Sequence, residues 1–242
     1  MLHKTRGIVL STTDYGETSV IAKVYTELFG LQSYLVNSVR KKNPKVHFNV
    51  FQPLTPVEMV VYHKERPGLQ RISEIKPQPP LQSISFDIYK TSLILFLAEV
   101  VAKSIKEEES NDEIFTYIHN SIVALDESNE APPDFHLLFL IRLTRFLGFF
   151  PLDSFSETNS IFDLRNGNFI SNIPPHPHYV QKDLGQALAY AIRNSFDLLS
   201  PLNISLETRR KLLDTIIEFY QLHIENFGAV KSRKVLEEIW AF

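Results

Sequence analysis

Four cationic side chains within six residues, Arg40, Lys41, Lys42 and Lys45, make the densest patch of usable chemistry in this 242-residue sequence. Tyr34, Phe48 and Phe51 lie close by in the chain. Cationic groups can follow the phosphates of a nucleic acid while aromatic faces stack on its bases, so this combination fits a single strand held along a groove. Lys4, Arg6 and Lys23 extend the stripe if their segments lie side by side. Lys231, Arg233 and Lys234 form a second basic cluster where the last helical segment begins. Cations oppose the dipole at a helix start, so that placement asks for an anionic partner. Arg142 and Arg145, three apart beside Leu138, Phe139 and Phe146, are spaced to border an apolar groove for an acidic, hydrophobic-tipped peptide. The plain alternative for each group is a solvated charge whose aliphatic stem packs on its neighbours.

Other chemistries lack their residues. The chain has no cysteine, which removes disulfides, thiolate catalysis and Cys-ligated zinc or iron–sulfur sites. Its eight glycines form neither a G-x-G-x-x-G nor a P-loop pattern, and no G-x-S-x-G elbow is present. Glu107, Glu108 and Glu109 are a charge run closing a helical segment, which fits a solvated face rather than a catalytic carboxylate pair. His176 and His178, with Asp183 nearby, have a metal-like spacing, but a stable zinc site needs three or four fixed ligands. No metal, no cofactor and no enzymatic reaction are therefore expected.

The formal net charge of −3 conceals two halves of opposite sign. Residues 1–80 hold 11 Lys or Arg against 6 Asp or Glu, and residues 81–242 hold 14 against 22. An anionic polymer would be met by the first part alone. The apolar runs, such as Leu137 to Ile141, fall well short of the roughly 18 residues of a membrane span. A soluble, cytoplasmic protein is expected, nucleoid-associated if it binds DNA.

The elements that would position these residues fall into two groups. Short β-branched and aromatic runs at Gly7 to Leu10, Val20 to Tyr25, Leu31 to Val39, Val57 to Tyr62 and Leu69 to Ile75 read as five strands, with turns at Gly16, Gly30 and Pro67-Gly68. Five short strands that close on themselves point to an OB-fold barrel, with an SH3-like barrel as the alternative. Pro77, Pro79 and Pro80 place a boundary, giving a barrel domain over 1–80 and a helical domain over 81–242. Helical periods follow at Phe86 to Val101, from a capping box Ser110 to Glu113 through Leu125, and at Asp134 to Leu147. Residues 152–180 lose the helical period, and Ile161 to Ile170 around Asn166-Gly167 reads as a β-hairpin insertion. Helices resume at Gln181 to Asn194, Leu206 to Asn226 and Lys231 to Ala241. The fold class is thus α+β multidomain.

Several of these words, in this order, resemble the RecO family. They are Lys4-Thr5-Arg6-Gly7-Ile8-Val9-Leu10, Asp14-Tyr15-Gly16-Glu17-Thr18-Ser19, Tyr25-Thr26-Glu27-Leu28-Phe29-Gly30 and the basic stretch at Arg40. Leu147-Gly148-Phe149-Phe150-Pro151 and Lys231-Ser232-Arg233 resemble motifs of the family's body and end. The resemblance implies a recombination mediator that binds single- and double-stranded DNA, anneals complementary strands, and works with RecR and the C-terminal tail of single-strand DNA-binding protein to load RecA. It makes Arg40, Lys41 and Lys42 the first DNA candidates, with Lys231 and Arg233 second. Many members carry a four-cysteine zinc site after the L-G-[YF]-x-P motif, whereas Ser154 to Tyr179 here has no cysteine. The competing readings are a protein-interaction adaptor that does not bind DNA and, at a distance, a hydrolase with an irregular site.

Overall fold

The computed structural model describes the chain except residues 43, 45, 65–67, 107, 108, 241 and 242 and the side chain of Lys182. It divides into two compact units, residues 1–127 with 231–242, and residues 128–230.

The first unit is built on a closed five-stranded barrel, β1 (Leu2–Tyr15), β2 (Ser19–Thr26), β3 (Gly30–Val36), β4 (Pro56–Tyr62) and β5 (Gln70–Pro77), in the order β1-β2-β3-β5-β4. Every pairing is antiparallel except β3 with β5, which is parallel and closes the barrel. This is the OB-type barrel expected from the strand spacing. The alternating residues Val20, Ala22 and Val24 of β2 and Val57, Met59 and Val61 of β4 point inward with Val9, Tyr34 and Phe51. β1 is far longer than its apolar run, because its first half pairs with β4 and its second half with β2. A register shift between Val9 and Ser11 lets one strand serve both partners. Gly7 faces the interior, where an added Cβ would stand 2.7 Å from Val24 Cγ1 and 3.0 Å from Met59 Sδ.

Three helices complete this unit: α1 (Ile88–Ser104), α2 (Asp112–Glu127) and α6 (Arg233–Ile239). α1 opens on Asp87, whose carboxylate accepts from the N–H groups of Tyr89 and Lys90. α2 is capped by Asn111, which accepts from the N–H groups of Glu113 and Ile114, rather than by the capping box expected at Ser110. The amide stands one residue nearer the first turn and takes both orphan donors itself. The connector before α1 is fixed by Asp126 of α2, whose carboxylate accepts from the backbone N–H groups of Gln82, Ser83 and Ile84 at 2.7–2.9 Å. Buried Lys90 donates to Ser83 Oγ at 2.7 Å and to the Asp126 carbonyl at 3.2 Å.

The second unit holds α3 (Phe135–Phe146), α4 (Lys182–Asn194), α5 (Leu206–His223) and a three-stranded sheet of β6 (Ile161–Asp163), β7 (Asn168–Ile170) and β8 (Tyr179–Val180), in the order β7-β6-β8. The expected hairpin is present and gains β8 as a third strand. α3 is apolar on nearly every side because it is the centre of this unit. Tyr220 of α5 donates its hydroxyl to the Leu140 carbonyl at 2.7 Å, and the buried Asp134 accepts from Arg209 Nε at 2.7 Å and from Leu202 N–H at 2.8 Å. Phe162 packs edge-on to Phe169 and to Phe219, which ties the sheet to α5. Among the described residues no helix is long and apolar enough to cross a membrane.

Candidate nucleic-acid interface

One end of the barrel brings two loops together. The tip of the β1–β2 hairpin, Gly16 to Thr18, turns through Gly16 at φ 64°, a conformation that suits a residue without Cβ. The chain leaving β3 passes this tip, and Arg40 N–H donates to the Thr18 carbonyl at 3.3 Å. The Arg40 guanidinium pairs with the Asp14 carboxylate and lies 5.3 Å from the centroid of the Phe48 ring. That contact holds the Asp14 carboxyl below the ordinary carboxylate range and raises Arg40. Lys41 and Lys42 follow on the same turn, exposed and without an ion pair to any described residue. Lys45 lies outside the described residues.

The aromatic part of the expected site is smaller than the sequence allows. Tyr34 and Phe51 are buried in the barrel core, and burial raises the Tyr34 hydroxyl well above its ordinary pKa. Phe48 alone of the three stands at the basic loop, half-buried beneath Arg40. Tyr15, half-exposed on the hairpin tip, is an aromatic ring there that composition did not single out.

Lys23 projects from the outer face of β2 opposite Ser33 of β3. Two residues along β3 on the same face, Leu35 pairs with Arg71 of β5, which in turn pairs with Tyr62 of β4. Arg71 and Tyr62 therefore extend a basic and aromatic face that begins at Lys23. Arg71 was legible in principle, since it alternates with the inward residues Gln70 and Ile72. Arg6 is engaged elsewhere: it forms a two-pronged pair with Glu27, with Nε to Oε2 at 2.9 Å, and lies 5.2 Å from the centroid of Phe115 on α2. Lys4 and Lys76 share Glu58 at 2.9 and 3.0 Å.

At the far end of the chain the anion asked for by the basic helix start is internal. Glu99 of α1 accepts from the N–H groups of Lys231 and Ser232 and from Ser232 Oγ at 2.6–3.0 Å. Arg233 pairs with Glu237 one turn on, at 2.7 Å, while Lys231 and Lys234 are exposed. In the second unit the Arg142 guanidinium lies 3.9 Å from the centroid of Phe196 and 5.8 Å from that of Phe146. Phe196 is 63% exposed, and Arg145 is exposed on the next turn of α3.

Matches to protein families divide the chain in the same sense as its chemistry. Residues 1–79 match the family model described as recombination protein O N terminal, and residues 85–234 match recombination protein O C terminal. The chain belongs to the RecO family. Among its relatives, the DNA repair protein RecO of Bacteroides fragilis is 38% identical over 242 residues, covering 99% of this chain and all of the relative. DNA repair protein RecO of Azobacteroides pseudotrichonymphae is 35% identical over 240 residues with the same coverage, and that of Porphyromonas gingivalis is 29% identical over 244. This RecO-family DNA repair protein lacks the four-cysteine set that many members carry, as its sequence already shows. The stretch has no cysteine, and among the described residues no group of three or more His, Asp or Glu is arranged to hold a metal. Its histidines face carboxylates instead, His178 Nδ1 at 2.6 Å from Glu218 Oε1 and His176 Nε2 at 3.4 Å from Asp163 Oδ1. His223 adds a contact to the Leu164 carbonyl at 2.9 Å.

Proposed function

We propose that this chain is a non-catalytic recombination mediator. It binds single- and double-stranded DNA through the barrel domain, residues 1–80, anneals complementary strands, and helps load RecA onto DNA coated with single-strand binding protein, together with RecR. The observation that carries the reading is the placement of Lys41 and Lys42, unpaired to any described residue, on a turn beside the hairpin tip at one end of a closed barrel. Loops at the end of such a barrel are where this architecture holds nucleic acid. Lys23 extends the phosphate track along the outer face, Lys45 follows Lys42 by three positions in the sequence, and Lys231 and Lys234 supply a separate basic patch with Arg233. Arg6 contributes less, because Glu27 already neutralises it. Arg142, with Arg145 and the exposed Phe196 ring, suits the acidic, hydrophobic-tipped tail of single-strand DNA-binding protein. A cytoplasmic, nucleoid-associated location goes with this role.

One observation favours the adaptor as second reading: Arg6 and Arg40, the two barrel arginines in the basic words, both carry an internal carboxylate partner. Annealing separates the two. Complementary labelled oligonucleotides mixed with the protein should anneal faster than alone, and R40E/K41E/K42E should lose most of that acceleration. Equal acceleration by wild type and variant would remove the basic loop from the function, and none by either would favour the adaptor.

A further inference from the structure

The hairpin tip that meets the basic loop carries the wrong charge for a DNA site. Asp14 and Glu17 are both exposed there, against Arg40, Lys41 and Lys42. Asp14 occupies Arg40 directly, and Arg40 is held on two sides, by this carboxylate and by the Phe48 ring. The Asp14 side chain is 69% exposed and that of Arg40 is 37% exposed, so water and salt reach both. An ion pair this open is weak and readily exchanged. A carboxylate and a phosphate oxygen present the same acceptor geometry to a guanidinium.

We propose that the β1–β2 tip is an internal competitor for the DNA site: the Asp14 carboxylate takes the place of a backbone phosphate on Arg40 and is displaced when a strand binds. The tip thereby sets the affinity of the loop. It holds Arg40 on Phe48 in the free protein, and leaves a strand that contacts Lys41 and Lys42 alone without the third cation. A strand that reaches Arg40 must evict Asp14. Asp14, like any exposed aspartate, is ionised at neutral pH, and the Arg40 contact lowers its carboxyl further, so the competition operates throughout the neutral range. The inference rests on the DNA-binding reading above, and goes beyond it by naming a residue whose loss strengthens binding.

The test is a double-mutant cycle on a labelled single-stranded oligonucleotide, read by anisotropy for wild type, D14N, R40Q and D14N/R40Q. Thermal melting confirms that each is folded, and Asp14→Ser provides an independent variant at the same position. D14N should bind about threefold more tightly, a size typical of an exposed ion pair. The gain should vanish in D14N/R40Q, so that R40Q costs more in the D14N background than in wild type. Wild-type binding with no gain in D14N or D14S overturns the competition and leaves the DNA reading standing. A gain that persists in D14N/R40Q also overturns it, since general charge removal then suffices. Absence of binding by all four proteins overturns both.

Discussion

Replacing Asp126 with alanine leaves the backbone N–H groups of Gln82, Ser83 and Ile84 short of their acceptor where the connector meets α1. Burial works to raise this carboxyl, and the N–H donors of Gln82, Ile84 and Ser83 outweigh that and lower it. Asp126→Ala should cost about 2–4 kcal/mol of unfolding free energy in urea titration; a cost under about 0.5 kcal/mol, as at an ordinary surface site, would contradict the network. His136 makes the complementary case. Burial lowers its imidazole to about 4, with Asp134 opposing and Arg209 adding to the shift. An unfolded histidine titrates near 6.5, so between about pH 6.5 and 4 the unfolded chain takes up a proton that the folded chain refuses. Stability present above pH 6.5 is therefore lost on acidification, by up to about 3 kcal/mol. His136→Leu should show a flatter stability profile than wild type over that window, and parallel profiles would refute the assignment. Neither role was readable from the sequence. His136 is a single polar residue in an apolar helix, and only the wrapping of α3 from all sides turns it into a neutral core group.

At the level of elements, Gly7 sets how closely β1 can cross the barrel interior. A methyl there meets Val24, Met59 and Val57 at 2.7–3.3 Å, and Gly7→Ala should destabilise by about 1–3 kcal/mol in calorimetry or urea unfolding. An unchanged melting temperature would mean that the barrel can expand. Strand periodicity made β2 and β4 legible, because Val20, Ala22 and Val24, and Val57, Met59 and Val61, alternate strictly. It missed the full extent of β1, whose two halves are fixed by different partners, with Leu2 paired to Tyr62 and Tyr15 to Ser19. The start of α2 went to Asn111 rather than Ser110, since two adjacent capping residues compete and only the backbone geometry chooses between them. Arg71 escaped notice because the parallel contact with Leu35 that carries it beside Lys23 closes the barrel across a long stretch of chain.

For the whole molecule, the charge division that set the basic first third apart is visible in composition, and so are the two groups of elements. Composition does not reveal which cations are already used. Asp14, Glu27 and Glu58 neutralise Arg40, Arg6, Lys4 and Lys76 across strands and loops, and Glu99 meets the chain at Lys231 from 132 residues away. On the proposed reading the basic loop acts chiefly through Lys41 and Lys42, with Arg40 in reserve behind Asp14. The most direct test is the salt dependence of binding to a labelled single-stranded oligonucleotide, for wild type and R40E/K41E/K42E. The account predicts steep salt dependence for the wild type, and for the variant weaker binding with a log–log slope shallower by about 1.4–2.1, the share of two or three phosphate contacts. Equal affinities and equal slopes would contradict it and place any DNA contact away from this end of the barrel.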